Sequence, residues 1–150
     1  MIRLKKPLFV ISLDFEKMWG VFDKRSISTY GKNISNVDLV IDRLLALFEK
    51  YDIHCTWATV GLLFHNDIKL CRNRLPLVVP QYKENILSSY SHLNQVRPEN
   101  FSIYYSGLSS IRKISLVANQ EIATHTYSHY YCLEEGSSLV SFQKDLEFRF

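Results

Sequence analysis

Near the N-terminus, Leu8 to Leu13 reads LFVISL, a short, nearly continuous, β-branched apolar run that meets Asp14 and Glu16. Runs of this length fit a strand buried on both faces, as in a parallel sheet. The next ordered pattern is helical. Val37, Val40, Ile41, Leu44, Leu47, Phe48 and Tyr51 recur at intervals of three and four, which predicts an amphipathic helix over roughly 37–51. Asn36 is placed to cap it, and Asp38 near its start and Lys50 near its end suit the helix dipole. His54 to Val60 (HCTWATV), closed by Gly61, reads as a second strand. A strand, a helix and a strand within about fifty residues make a βα repeat that feeds a parallel sheet. The expected fold class is therefore α/β.

Residues 20–36 are polar, with Gly20 and Gly31, and are expected to form a loop. Residues 66–109 hold Pro76, Pro80 and Pro98 and many polar residues, and are expected to form an irregular insertion with one helix near 83–93. Ser110 to Ala118 predicts a helix and Glu121 to Thr124 (EIAT) a third strand. Residues 138–149 begin another helix, with Leu139, Phe142 and Leu146 on one stripe. Residues 1–150 are taken as a single domain. The loops that follow the first and third strands converge on one rim of a parallel sheet, which is where active sites form.

Composition narrows the function classes. Apolar residues make up 47% and charged residues 22%, which excludes a disordered chain. A net charge of +3 gives no basis for nucleic-acid binding. Lys5 and Lys6 precede an apolar run shorter than the ~7–15 residues of a signal peptide core, and nothing approaches the ~18 apolar residues of a membrane span. Three cysteines, Cys55, Cys71 and Cys132, form no CxxC pair and no disulfide framework, which favours a reducing compartment. The expected location is cytoplasmic. The five glycines are isolated, so no phosphate loop is present, and Ser128 lacks the GxSxG setting of a serine hydrolase.

Two clusters could carry chemistry. Asp14 and Glu16 leave an apolar strand at i and i+2, spacing that places side chains on one face. Adjacent carboxylates repel, and a divalent cation would remove that conflict; a solvated strand end would explain them equally well. His125-Thr126-Tyr127-Ser128-His129 puts two imidazoles four residues apart directly after a strand. Imidazole suits zinc, cobalt or nickel, and a carboxylate would complete a site with open positions; one surface and one packing histidine is the alternative. His54, His65 and His92 have no partner at useful spacing and are read as structural or surface residues.

Together these pieces resemble the polysaccharide deacetylase family, also called the NodB homology domain or carbohydrate esterase family four. FVISLDFEKMWG is similar to the first motif of that family, TWATVGLLF to its second strand, and QEIATHTYSHYYC to its EIxxHTxSH motif, with the H-[ST]-x-x-H pattern in full. The resemblance implies a distorted, here partial, (β/α) barrel and metal-dependent hydrolysis of N-acetyl groups on amino sugars in a polysaccharide. It implies Asp14 as general base and Glu16, His125 and His129 as metal ligands, with exchange of the Asp14 and Glu16 roles left open. Zinc is the implied metal, cobalt and nickel being alternatives, and Trp19 is the implied substrate-binding residue.

The family's Arg-Pro strand and its Leu-x-His strand, which supplies the catalytic acid, have no counterpart before Phe150. The expectation is an N-terminal part of a longer enzyme, a truncated reading frame or half of a split protein, inactive or weakly active alone. Its partners would be an N-acetylated carbohydrate and a separate C-terminal portion of the same fold. Two other readings stand beside this one: a non-catalytic metal- or carbohydrate-binding remnant, and a structural α/β module whose HTYSH is accidental.

Overall fold

The computed structural model describes residues 9–148. Lys5, Lys6 and Leu8 lie outside the described residues. Within them the chain runs β1 (Ser12–Phe15), α1 (Ile27–Ser35), α2 (Val37–Lys50), β2 (Cys55–Thr59), α3 (Ile68–Asn73), α4 (Ser89–Gln95), α5 (Pro98–Tyr104), α6 (Leu108–Leu116), β3 (Gln120–Thr124) and α7 (Leu139–Glu147). The three strands form one parallel sheet in the order β1-β2-β3. Asp14 stands opposite Ala58, which stands opposite Ala123. The expected mixture of helices with parallel strands and the positions of the second and third strands agree with this arrangement. No helix among the described residues is long and apolar enough to cross a membrane.

The first strand differs from its expectation in start and in burial. Ladder pairing begins only where β2 does, so Phe9 and Val10 run past it and are exposed. Strand alternation then sorts the side chains. Leu13, Phe15, Cys55 and Trp57 turn toward the helices and join or pack on the core. Ser12, Asp14 and Glu121, on the other face, are exposed. The sheet is thus covered on one face, not on both.

Residues 20–36 are not all loop. Ser26 and Thr29 form a reciprocal capping box that starts α1, which satisfies backbone amides a polar stretch would otherwise leave to water. Asn36 does not cap α2 with its side chain; it has helical backbone angles and joins α1 directly to α2. The buried face of α2 is Ile41, Leu45 and Phe48.

Residues 66–109 are largely helical and carry part of the core, in place of the expected irregular insertion. The helix expected near 83–93 starts at Ser89, and α3 and α5 flank it. Pro98 opens α5 at a first-turn position, where its missing N–H costs nothing. Cys71, Tyr90, Leu93, Val96, Phe101 and Tyr105 from this segment are all core residues. The Arg72 guanidinium donates to the carbonyls of Leu93, Asn94 and Val96, closing the end of α4. In α7 the buried residues are Ser141 and Asp145, whereas Leu139 and Leu146 of the expected apolar stripe are exposed.

Candidate metal centre

Three of the residues singled out from the sequence come together. Glu16 Oε2 lies 3.1 Å from His129 Nε2 and 3.5 Å from His125 Nε2. The two imidazole centroids are 5.2 Å apart. One donor atom from each residue falls within 4.8 Å of the others, the one such group of ligand-type side chains among the described residues.

Each ligand leaves the end of a strand. The backbone at Glu16 (φ −138°, ψ −17°) breaks the extended run, and a short 3-10 turn, Lys17–Gly20, follows. This turn brings Gly20 under the Glu16 carboxyl, where a Cβ would lie 2.0 Å from Cδ. Gly20 therefore leaves the space that the carboxylate occupies. On the third strand, the His125 amide continues the ladder by donating to Thr59 O at 3.0 Å. Thr126 and His129 then adopt left-handed backbone angles, φ +62° and +57°. The carbonyls of Thr126 and Tyr127 accept from the amides of Gly61 and Leu62, both at 2.9 Å. The Tyr130 amide donates to Thr126 Oγ1 at 2.7 Å, closing the turn.

The electrostatics follow from this convergence. Hydrogen bonds from His125 and His129 hold the Glu16 carboxyl down at about 2, against the opposing effect of burial. The same contact raises His125, with a smaller contribution from Asp14. His129 turns Nε2 to Glu16, and its Nδ1 is buried with no hydrogen-bond partner among the described residues.

The other residues marked from the sequence divide. Asp14 is exposed on the open face of β1 and stands outside the three-residue group, although its charge reaches His125. Strand spacing at i, i+2 does not carry through to Glu16, because β1 ends at Phe15 and Glu16 already leaves the extended conformation. Trp19 is not a substrate-binding surface. It is fully buried, its indole N–H donates to Tyr105 O at 2.8 Å, and its ring meets Phe22, His92 and Tyr105. Beside an acidic turn its sequence position gave no sign that the ring folds inward. His65 and His92 are structural, each against a tyrosine hydroxyl, Tyr127 and Tyr105 respectively, and His54 is exposed.

Four residues near the site had no sequence signal of their own. Lys17 is buried beside Glu16, Asp145 is buried beneath the HTYSH loop, and the Tyr131 ring packs edge-on to His129 at 5.3 Å. Burial and the neighbouring Asp23 carboxylate push the Tyr131 hydroxyl up to about 12. Asp23, Lys17 and Asp145 are charged residues at buried places, the reverse of what hydropathy leads one to expect.

The donor set fits a divalent cation. Two imidazoles and one carboxylate are the ligands of a common class of catalytic zinc site that keeps positions open for water and substrate. No family model matches the chain, and no curated protein or solved structure matches it.

Proposed function

We propose that the chain carries the metal centre of a hydrolase that removes N-acetyl groups from an amino-sugar polysaccharide, of the polysaccharide deacetylase type, on the first βα units of a (β/α) barrel. The observation that supports it best is the convergence of Glu16, His125 and His129 from two loops on the same end of the sheet. These three residues would hold the metal, zinc first and cobalt or nickel as alternatives. When bound, such a metal polarises an amide carbonyl and acidifies water. Asp14 serves as the base, its carboxylate taking a proton from the attacking water. Its exposure on the open face of β1 leaves it accessible to solvent and substrate.

A second reading, a metal-binding module without turnover, draws on the same observation that Asp14 stands apart from the ligand group. Calorimetric zinc titration of the full chain tests the centre. Glu16→Ala and His125→Ala should each weaken zinc by about 100-fold or more, since removing a ligand costs more than disturbing its support. Wild-type chain that takes up no zinc, or variants that bind as wild type does, would overturn the centre. Asp14→Asn should keep zinc affinity and lose the deacetylation of an N-acetylated oligosaccharide that the wild type shows once a separate C-terminal portion of the same fold is supplied. Zinc binding with no turnover by the wild type, even when that C-terminal portion is supplied, selects the second reading.

A further inference from the structure

We propose that Asp145 is the positioning residue of the ligand-bearing loop, so that helix α7 sets the separation of His125 and His129 and hence the affinity of the centre. This rests on the metal-centre reading and adds a determinant outside the ligand set.

The loop does not take its shape from local preference. Thr126 and His129 both sit at left-handed angles that side chains other than glycine seldom adopt, and one of them is a ligand. Such a loop persists only where its surroundings hold it. Buried between the two histidines, the amides of Tyr127 and Ser128 need acceptors, because unpaired buried N–H groups are costly. Both find one in a single carboxylate. Tyr127 N donates to Asp145 Oδ1 at 2.6 Å and Ser128 N to Asp145 Oδ2 at 3.2 Å. The Ser128 hydroxyl makes a short contact to Oδ2, and the Tyr90 hydroxyl donates to it at 3.1 Å. Asp145 is 1% exposed. A carboxylate alone among side chains of this size offers two oxygens that can each accept from a neighbouring amide.

The orientation of α7 supports this assignment. Hydrophobic burial would turn Leu139, Val140 and Leu146 inward, yet all three are exposed and the buried side is Asp145 and Ser141. Ser141 Oγ meets the Tyr130 hydroxyl at 2.6 Å, and the Ser138 amide donates to that hydroxyl at 3.0 Å. Tyr130 directly follows His129. The helix is therefore docked to the residues between and just after the two ligands through these polar contacts, with the Phe142 ring on Tyr130 and Phe148 on Tyr127 beside them.

Cobalt is the probe, because its visible bands report ligand geometry. Full chain is titrated with cobalt(II) as wild type, Asp145→Asn and Tyr90→Phe, with a thermal melt of each. Asp145→Asn should bind about tenfold more weakly and show altered band positions at saturation. Tyr90→Phe leaves the carboxylate on both loop amides and should stay within about twofold of wild type with unchanged bands. If Asp145→Asn does not fold, Ser128→Ala removes one loop donor and should weaken cobalt about threefold with changed bands. Folded variants at Asp145 or Ser128 with wild-type affinity and spectrum overturn this inference alone. Wild-type chain that binds no cobalt overturns the metal centre and this inference with it.

Discussion

Around Glu16 the buried charge is a cation, whereas beneath His125 and His129 it is an anion. Lys17 Nζ donates to Asp38 Oδ2 at 3.1 Å, to Ile103 O at 3.0 Å and to Ser106 O at 2.9 Å. It reaches outward from the loop that carries the ligand and ties that loop to α2 and to the end of α5. Asp145 works the other way, reaching from α7 into the loop and accepting from its amides. Irregular backbone leaves carbonyls in one place and amides in another, and each loop recruits the sign of charge its neighbourhood lacks. The two loops consequently depend on different parts of the molecule. The Glu16 loop is anchored on α2 and the end of α5, and the histidine loop on the Gly61 and Leu62 amides and, through Asp145, on the helix that follows it.

The largest effect should come from the cation. Lys17→Met leaves the Ile103 and Ser106 carbonyls without this donor, while Asp38 keeps Ser110 Oγ on its other oxygen, and is expected to lower unfolding stability by about 3 kcal/mol in urea titration. Zinc affinity of the folded fraction should then fall less than in Asp145→Asn. Equal losses of affinity in both variants would erase the distinction between the loops.

The glycines sharpen the same contrast. A Cβ at Gly61 would lie 2.8 Å from Tyr127 Cα, against backbone that cannot give way, so Gly61→Ala should cost roughly 2 kcal/mol of stability. A Cβ at Gly20 meets only the end of the Glu16 side chain, which can swing aside. Gly20→Ala should therefore stay within about 0.5 kcal/mol of wild-type stability while losing about tenfold in zinc affinity. Paired melts and zinc titrations check both; a Gly20→Ala chain that binds zinc normally would mean that Glu16 is not held where it needs to be.

Acidity reports on the contact that joins the two loops. Glu16 is depressed from 4.5 to about 2, so its contribution to stability is present above 4.5 and is lost as pH falls toward 2. His125 is raised above 6.5, so its contribution is full below 6.5 and is lost as pH rises beyond its folded value. The pair should stabilise most between about 4.5 and 6.5. Melting temperature followed from pH 2 to 9 should show this maximum in wild type and a flatter profile in Glu16→Gln. Identical profiles would show that the loops meet without coupling.

Much of the candidate site is legible in the amino-acid order. Glu16 and the two histidines stand at the ends of apolar strand runs, and parallel strands deliver their following loops to one end of a sheet. Trp19 shows where such reading stops. The same short turn that follows Glu16 drives the Trp19 ring into the core, and a turn of four residues has no periodicity to report it. The helix in 27–35 was hidden for a related reason: its capping box uses Thr29 where glutamate or glutamine is the usual signal.

What the sequence determined alone is what local pattern can encode: three apolar strand runs, the amphipathic helix between the first two, and the chemistry of the side chains at the strand ends. What only the tertiary structure decided is which distant groups must satisfy one another. Asp145 lies at a helix position indistinguishable by composition from a solvated one, and Lys17 sits among ordinary surface-type charges. Both are buried because loop amides and carbonyls elsewhere in the chain need partners away from water, a requirement that exists only once the chain is folded.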